Sequence, residues 1–485
     1  MDKSEFQKLF SELTNIKENR FHPLVWINGE PKIGENVYVG GMSEINATGA
    51  MVVIGDNCDI ASFVAINCAD THRKCIGLSE KAECRDIVIE NNVFIGSHCV
   101  IKGGAYIGHH SVVAAGTIVD GVIIPPYSLV SGNPMRLKEG YYLKNSSGVI
   151  EHNKPTLGLE EEQAVQKAIR SGWVAQGKEV NAFENEFCEF IGLPKGHAGA
   201  VSSGTASLFL ALWSLGAKGK KVTIPVYTCS SLRHAVAMVG AEEVLIDVAP
   251  GTPNIDLESL GKSGSDIAII PHMFGIPVNF SNIKNLLVVE DCAQALGAAV
   301  NNVQVGLHGD IGIYSFYATK LMTSGGQGGM VVSKNKDLVD AVRNYREFDQ
   351  QKDNKKRFNF QMTDIQAAIG RTQLRRLPDF LKRRNEIFEA YKEAGFPLLD
   401  VSTSNFMPVR YRAVLLTEHP KEIIDALSHA GIKSIIPIED WELLGDARLF
   451  LNAFSLTQRP ISLPIYPLLR DADVKRIIGV VSSNL

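Results

Sequence analysis

The stretch that decides the fold of the larger part of the chain spans residues 286–332. It begins LLVVEDCAQALGAAV (residues 286–300) and, after a short connector, continues GDIGIYSFYATKLMTSGGQGGMVV (residues 309–332). Each half contains a short, β-branched apolar run, which is typical of a strand buried in a parallel sheet. The first run ends at Asp291, and the second leads to Lys320 and then to several glycines. The stretch therefore predicts an α/β sheet that delivers a carboxylate at the C-terminal end of one strand.

Asp291 and Lys320, with the glycine-rich turn beside them, are the groups that pyridoxal phosphate chemistry requires. The lysine holds this cofactor as a Schiff base, the carboxylate keeps the pyridine nitrogen protonated so that the ring accepts electrons, and small residues admit the phosphate. An aspartate and a lysine about thirty residues apart also occur as ordinary loop residues. The motifs around them decide between these two interpretations.

Several motifs of the second part of the chain fit one family. They are EDCAQ (290–294), SFYATK (315–320), the paired glycines 328–329, GWVAQG (172–177) and SLPIYP (462–467). Together they resemble the signature of the DegT/StrS-type sugar-nucleotide aminotransferases, over about residues 156–485. The resemblance implies an α/β aspartate-aminotransferase-like fold (PLP fold type I) and pyridoxal 5'-phosphate as cofactor. It further implies L-glutamate as amino donor and a nucleotide-linked (dTDP, UDP or GDP) keto-deoxysugar as acceptor.

The same resemblance implies roles for individual residues. It assigns the Schiff base to Lys320, the pyridinium partner to Asp291, the neighbour of the 3-oxygen to Gln294, phosphate contacts to Thr205, Ala206 and Ser315, a phosphate contact in the partner subunit to Asn359, and the position over the ring to Cys229. The Gly-Thr-Ala turn at Thr205 precedes an apolar helix, so its N–H groups and hydroxyl suit a phosphate, although an ordinary helix cap has the same pattern. Because Asn359 would reach the partner's cofactor, the site would be complete only in a dimer.

Two positions depart from the family pattern. Cys229 stands where the family usually stacks an aromatic ring on the cofactor, and either Cys229 or the nearby Tyr227 would cover the ring here. Gln327 stands where the family usually has a glutamate before the paired glycines. The loops that contact the sugar are not decoded by spacing, so the nucleotide, the ring position aminated and the stereochemistry stay open.

The first third of the chain repeats with a period of six residues. The aliphatic positions of the repeat are Ile33, Val39, Ile45, Ile54, Ile60, Ile66, Ile89, Ile95, Ile101, Ile107, Val113 and Val119. An aliphatic residue at every sixth position lets three short strands form one triangular coil, with the aliphatic side chains stacked inside. The repeat therefore predicts an all-β domain, a left-handed parallel β-helix.

This repeat resembles the hexapeptide-repeat acyltransferases, and its ending PPYSLVSGNP (125–134) resembles the galactoside and maltose acetyltransferase branch. The resemblance implies a trimer with acetyl-CoA as cosubstrate in the groove between neighbouring coils. It also makes His72, in the interruption at residues 67–88, the catalytic base, because a neutral imidazole can take the proton from an attacking amine. His110 on a coil is the alternative base. The implied coenzyme contacts are Ala114, Ala115, Gly132 and Lys138.

The composition excludes several classes of function. With 49 Lys and Arg against 53 Asp and Glu, the formal charge of −4 gives no reason to expect nucleic acid or an anionic membrane as partner. No run of about eighteen apolar residues and no signal-peptide pattern occurs, so we expect a cytoplasmic protein. The eight cysteines form no C-x-x-C pair, which favours reduced thiols. Cys68, Cys75 and Cys84 with His72 match no zinc spacing, so no metal is expected.

The two resemblances together predict a bifunctional enzyme of amino-sugar biosynthesis. Residues 1–140 would form the acetyltransferase domain, residues 141–157 a linker, and residues 158–485 the aminotransferase with its large and small subdomains. The product would be an N-acetylated amino sugar nucleotide for a surface glycan such as the O-antigen of lipopolysaccharide. A trimeric β-helix and a dimeric aminotransferase would close as a hexamer. Two alternatives stay open: the β-helix is only a trimerisation scaffold, or the second domain is a cofactor-bound regulator or sensor without turnover.

Overall fold

The computed structural model describes residues 24–142, 149–349, 351–401, 403 and 405–485, together with residues 5, 8, 9, 12 and 19–21. The chain divides into two compact units, Met1–Ser147 and Gly148–Leu485. Six residues of the expected linker, 143–148, lie outside the described residues.

The first unit consists mainly of three sheets of short strands. The first sheet contains β1 (Val25–Gly29), β4 (Ser43–Ala47), β7 (Ala65–Asn67), β12 (Val100–Lys102) and β15 (Ile118–Asp120), in that order. The second contains β16 (Ile123–Ile124), β13 (Tyr106–Ile107), β10 (Ile87–Ile89), β5 (Val52–Ile54) and β2 (Lys32–Ile33). The third contains β18 (Arg136–Lys138), β17 (Leu129–Ser131), β14 (Val112–Val113), β11 (Phe94–Ile95), β6 (Asp59–Ile60) and β3 (Tyr38–Val39). Within these three sheets, every described pairing is parallel except that of β17 with β18.

The sixfold repeat sets the register of these sheets. Ile45 pairs with Ile66, Ile66 with Ile101, and Ile101 with Val119, so residues from successive coils form one column. All four side chains are buried in a core of aliphatic residues, and burying each of them contributes roughly 1.5–3 kcal/mol. The predicted parallel β-helix is confirmed.

The interruption of the repeat forms a small excursion from the coil. It contains β8 (Ala69–Asp70), the short helix α1 (His72–Cys75) and β9 (Glu83–Cys84), which pairs antiparallel with β8. No residue of α1 is buried. The excursion therefore presents His72 to solvent, at the start of α1.

The second unit is built on a seven-stranded sheet. Its strand order is β19 (Ala198–Val201), β27 (Gly329–Val332), β26 (Ile311–Ser315), β23 (Leu287–Asp291), β22 (Ile267–Pro271), β20 (Lys221–Pro225) and β21 (Glu242–Ile246). In this sheet, β27 alone runs in the opposite direction to the other strands. The other six strands run in one direction, so their C-terminal ends share one edge of the sheet. The predicted mostly parallel α/β sheet is confirmed, and residues 286–332 supply three of its adjacent strands.

Both faces of this sheet are covered by apolar cores. Successive side chains of a strand point to opposite faces, and Ile313 of β26 lies in one core while the adjacent Tyr314 lies in another. In chain order the helices are α2 (Leu159–Arg170), α3 (Lys178–Ile191), α4 (Gly204–Ser214), α5 (Ser231–Val239), α6 (Leu257–Lys262), α7 (Lys336–Arg346), α8 (Asp364–Glu393), α9 (Pro420–His429), α10 (Leu451–Gln458) and α11 (Asp471–Ser482). Two smaller sheets contain β24 (Ala299–Val300), β25 (Val303–Gln304) and β28 (Phe406–Met407), and β29 (Ala413–Leu416) and β30 (Pro460–Leu463). Within the part of the chain that the structure describes, no helix has the length and apolar character needed to cross a bilayer.

The described end of the expected linker packs onto the second unit. Ile150 forms a parallel bridge with Ile432 and is buried in the core that contains α9 and α11. The carbonyl of Thr156 accepts a hydrogen bond from the Gln373 side chain at 2.7 Å. Ile150 and Thr156 therefore belong to the packing of this unit.

Candidate active sites

The C-terminal edge of the large sheet opens into a cavity of about 300 Å³. Six residues assigned from the sequence line it: Thr205, Cys229, Asp291, Gln294, Ser315 and Lys320. They come from four separate strand ends and loops, and the common direction of the strands brings them together. The cavity is thus the candidate active site of the second unit.

Asp291 is the last residue of β23 and is buried at the floor of this cavity. One carboxylate oxygen accepts a hydrogen bond from the backbone N–H of Ala293 at 3.0 Å. Burial raises the pKa of Asp291, although this hydrogen bond and the positive charge of Lys320 oppose the rise. No ion pair within 4 Å neutralises this acid among the described residues. A positively charged group in the cavity would therefore be stabilised by it.

The N-terminus of α4 forms one wall of the cavity. The Ser203 side chain caps the helix by accepting a hydrogen bond from the N–H of Ala206 at 3.1 Å. A Cβ atom at Gly204 would lie 2.7 Å from the Cβ of Ser315, so only glycine lets the two segments approach this closely. Thr205 and Ser315 both line the cavity, whereas Ala206 is buried behind it. The result is a hydroxyl-rich pocket at a helix N-terminus, which suits an anion.

Lys320 lies opposite an aromatic side chain that the sequence did not single out. Its Nζ lies 5.4 Å from the ring centroid of Tyr411, within the range of a cation–π contact. Burial would raise the pKa of the Tyr411 phenol, but the charges of Lys320, Arg412 and Arg384 and a hydrogen bond with the Thr319 side chain together lower it. Tyr411 therefore stabilises positive charge at Lys320 from the side.

The remaining predicted residues around the cavity differ in their hydrogen bonds and in their exposure to the cavity. The side-chain oxygen of Gln294 accepts a hydrogen bond from the N–H of Phe274 at 2.8 Å, which leaves its NH₂ group as the donor that it can offer. Cys229 is exposed and lines the cavity, whereas Tyr227 is fully buried and does not. Gln327 also lines the cavity. Of the two residues considered for covering a ring, Cys229 is the one at the cavity surface.

Asn359 lies outside this cavity, on an exposed segment before α8. Its side-chain oxygen accepts a hydrogen bond from the N–H of Gln361 at 3.0 Å. Its assignment to a partner subunit's site stays a prediction.

His272 was not predicted from the sequence as a site residue, although it directly follows β22 and lines the cavity. Its Nε2 lies 3.1 Å from Glu290, and its Nδ1 accepts the N–H of Val278. His272, Glu290 and Cys292 lie close enough to hold a metal ion. However, Glu290 also accepts three backbone N–H groups, from residues 306, 308 and 309, so its oxygens are already occupied. The position of His272 after an apolar strand, as for Asp291, was the signal that could have found it.

The first unit carries a second candidate site on its excursion. The Nδ1 atom of His72 lies 2.6 Å from a carboxylate oxygen of Asp70, which also accepts the His72 backbone N–H at 3.1 Å. These hydrogen bonds lower the pKa of Asp70 to about 2. The other carboxylate oxygen lies 3.5 Å from Nζ of Lys102. Asp70 therefore stays ionised near neutral pH and holds the imidazole with its Nε2 free to act as a base.

The alternative base and the coenzyme positions lie on the coil. His110 stacks on Tyr127, with ring centroids 4.9 Å apart, and contacts His109. Ala115, Gly132 and Lys138 are exposed, and Ala114 is partly buried. The coenzyme contacts of these four residues stay predictions.

Comparison with known proteins agrees with the geometry. Residues 155–482 match the DegT/DnrJ/EryC1/StrS aminotransferase family. The chain belongs to this family. Residues 86–121 match the bacterial transferase hexapeptide (six repeats). The fusion of a hexapeptide-repeat unit with an aminotransferase unit is therefore confirmed, while membership of the galactoside acetyltransferase branch stays a prediction.

Individual members of this family align with a similar share of the chain. GDP-perosamine synthase of Vibrio cholerae is 29% identical, over 68% of this chain and 97% of that protein. Spore coat polysaccharide biosynthesis protein SpsC of Bacillus subtilis is 31% identical, over 68% of this chain and 96% of that protein. The crystal structure of the aminotransferase TlmJ from Streptoalloteichus hindustanus superposes with a TM-score of 0.64 at 26% identity, covering 69% of this chain and 98% of that chain.

Proposed function

We propose that the second unit transfers an amino group from L-glutamate to the keto group of a nucleotide-linked deoxysugar, with pyridoxal 5'-phosphate as cofactor, and that the first unit acetylates the new amine with acetyl-CoA. The observation that carries the first half is the convergence of six predicted residues at one cavity. The name of the Vibrio cholerae relative supports a nucleotide-linked sugar as acceptor. Because that name contains GDP, a GDP-linked sugar should be tested before dTDP-linked and UDP-linked sugars.

The residues of the cavity fit pyridoxal phosphate at both of its charged ends. Asp291 is a buried acid without an ion-pair partner among the described residues, and such a group is stabilised when a cation fills the space beside it. At the other end, the N-terminus of α4 and the hydroxyls of Thr205 and Ser315 suit a phosphate. The absence of a side chain at Gly204 lets the Ser315 side chain lie directly against the start of α4.

The chain's own groups then have separate tasks. When bound, pyridoxal phosphate supplies an electron-accepting ring that lets an amino group leave one carbon and join another. Asp291 would hold the ring nitrogen in its protonated form, and Lys320 would hold the cofactor covalently through Nζ. Once released, Nζ of Lys320 can accept a proton from the α-carbon of the donor and later give one to the sugar carbon. Tyr411 stabilises the charge that Nζ carries between these transfers.

The test mixes the full chain with a nucleotide-linked 4-keto or 3-keto sugar, glutamate and acetyl-CoA, and follows amine and acetamide by mass spectrometry. The wild type should form both, and Lys320→Ala should form neither from the keto sugar. Amine formation by Lys320→Ala at the wild-type rate would refute the assignment of Nζ. The visible absorbance of the holoenzyme should shift on adding glutamate alone. An unchanged spectrum would favour the regulator or sensor instead.

The pair of Asp70 and His72 supports acetyl transfer by the first unit. The sugar amine would attack the thioester carbonyl of acetyl-CoA, form the new C–N bond and pass its proton to Nε2 of His72. The C–S bond then breaks, and the coenzyme leaves as a thiolate that recovers the proton. A supplied amino sugar nucleotide should therefore be acetylated without glutamate. If calorimetry detects no acetyl-CoA binding, the β-helix is a trimerisation scaffold only.

The proposed assembly is a hexamer, because a threefold β-helix and a twofold aminotransferase close together at six copies. Light scattering of the full chain should give a mass six times that of one chain. A stable monomer or dimer would refute the hexamer without refuting either activity.

A further inference from the structure

Lys102 of the first unit connects the coil to the excursion that carries His72. It is the last residue of β12, and its neighbours in the first sheet are Asn67, the last residue of β7, and Asp120, the last residue of β15. The excursion leaves the coil directly after Asn67. Lys102 therefore lies beside the point where the chain departs towards His72.

The ammonium group of Lys102 lies between two carboxylates. Its Nζ donates a hydrogen bond to Oδ2 of Asp120 at 2.7 Å and lies 3.5 Å from Oδ2 of Asp70. Opposite charges at directly paired positions of neighbouring strands attract each other, so Asp120 holds the Lys102 side chain along the sheet. The contact with Asp70 extends this pair from the coil to the excursion.

Asp120 also contacts the far end of the excursion. Its Oδ1 lies 3.6 Å from Nη2 of Arg85, the residue that follows β9. Gly121 leaves room for this guanidinium, because a Cβ at that position would lie 2.8 Å from Nη1 of Arg85. Both ends of the excursion are therefore linked, through Asp120, to the same place on the coil.

The two side-chain oxygens of Asp70 have different partners. Oδ1 contacts Nδ1 of His72 and accepts its backbone N–H, whereas Oδ2 faces Nζ of Lys102. A cation on one oxygen limits rotation of the carboxylate and keeps the other oxygen directed at the imidazole. The hydrogen bonds from His72 first, and then the charges of His72 and Lys102, lower the pKa of Asp70 to about 2. Asp70 therefore stays ionised between the two groups.

We propose that Lys102 is a positioning residue for acetyl transfer. It fixes the Asp70 carboxylate, and Asp70 in turn orients His72 so that Nε2 faces the attacking amine. This inference rests on the proposed acetyltransferase function of the first unit. Because a partly exposed ion pair adds little to stability, substitution of Lys102 should change the rate of acetylation and leave the fold intact.

The experiment supplies the full chain with acetyl-CoA and a GDP-linked 4-amino deoxysugar, and compares Lys102→Met with the wild type. Methionine keeps most of the length of the side chain but not its charge, so kcat should fall about fivefold while KM for both substrates stays unchanged. Lys102→Arg keeps the charge and should recover most of the rate. Lys32→Met, at an exposed site on β2, is the control and should acetylate as the wild type does.

A double substitution tests whether Lys102 acts through Asp70. In an Asp70→Asn background, Lys102→Met should cause no further loss, because the carboxylate that Lys102 fixes is already gone. An equal loss in both backgrounds would overturn the proposal. So would a raised KM for the amino sugar nucleotide with kcat unchanged, because Lys102 would then bind the substrate directly.

Crystal structures of the wild type and of Lys102→Met test the positioning without turnover. The His72 imidazole should take one orientation on Asp70 in the wild type and more than one in Lys102→Met, and an identical contact in both would overturn the proposal. If Lys102→Met does not fold, Lys102→Gln, which can still donate to Asp120, tests the same contact. If the wild type binds no acetyl-CoA and acetylates no amine, the proposed function fails, and the crystal structures alone confirm or overturn the positioning by Lys102.

Discussion

The two candidate sites place an aspartate in opposite situations. In the second unit, Asp291 is buried at a strand end without an ion-pair partner among the described residues, and burial raises its pKa. In the first unit, Asp70 is only partly buried and is already hydrogen-bonded to His72, which lowers its pKa to about 2. The buried charge of Asp291 lowers the stability of the folded chain until a cation enters the cavity. Asp70, by contrast, already has its hydrogen-bond partner within the chain.

This difference separates a site that a cofactor completes from a site that is organised in advance. A buried acid gains a strong interaction only when its partner arrives, so its value lies in binding and in holding charge on that partner. A partly exposed acid beside an imidazole gains little stability, but it fixes the orientation and tautomer of the base. The two aspartates should therefore respond differently to the same substitution, aspartate to asparagine.

The largest effect is expected for Asp291→Asn on amination. Asparagine keeps the shape and the hydrogen bond from Ala293, but it cannot hold a cation in the cavity. We expect the rate of amine formation to fall on the order of 10²–10³-fold, while acetylation of a supplied amine stays unchanged. Mass spectrometry of both products measures this. Asp425→Asn, at an exposed site on α9, is the control, and equal loss in both variants would contradict the role of Asp291.

The next effect is expected for His72→Ala on acetylation. Removing the imidazole leaves the attacking amine without a base, so acetamide formation should fall roughly 10²-fold or more. Amination should be unaffected, which a discontinuous assay of the two products can show. Normal acetylation by His72→Ala would transfer the role to His110, which His110→Ala would then test.

A smaller effect is expected for Asp70→Asn. Asparagine can still accept the N–H of His72 but carries no charge, so acetylation should fall about tenfold. Mass spectrometry of the acetylated product measures this rate. Asp59→Asn, exposed on β6, should leave the rate unchanged.

Most of the fold could be predicted from regular patterns in the sequence. The sixfold repeat gave the register of Ile45, Ile66 and Ile101, because the inward position recurs at a fixed spacing and needs no knowledge of distant residues. The acid at the end of an apolar strand located Asp291 for a similar reason. Parallel strands place their ends at one edge, so a strand end in the sequence is a position at the cavity.

Contacts between distant segments were not predicted from the sequence. His152 and Ser462 are 310 positions apart, and nothing in the local pattern around either one indicates the other. Tyr411 likewise follows no recognisable motif, yet its ring lies beside Lys320. Asp70 is different, because it stands two residues before His72 and could have been found as its partner.

The effect of pH on the stability of the folded chain has opposite signs for Asp291 and Asp70. Burial raises the pKa of Asp291, so the folded chain holds this proton more tightly than the unfolded chain does. The stability of the cofactor-free chain should then fall as pH rises from the ordinary aspartate pKa to the raised one, and stay lower at neutral pH.

Asparagine removes that buried charge and retains an oxygen for the N–H of Ala293, so Asp291→Asn should stabilise the cofactor-free chain by about 1 kcal/mol or more. Calorimetry at pH 7 should show a higher midpoint for this variant than for the wild type, and a smaller rise when pyridoxal phosphate is added. Asp70→Asn should show no such gain, because the folded-state pKa of Asp70 is lowered rather than raised. If Asp291→Asn instead lowers the midpoint without cofactor, Asp291 already has a stabilising partner in the folded chain, and its site is organised in advance like that of Asp70.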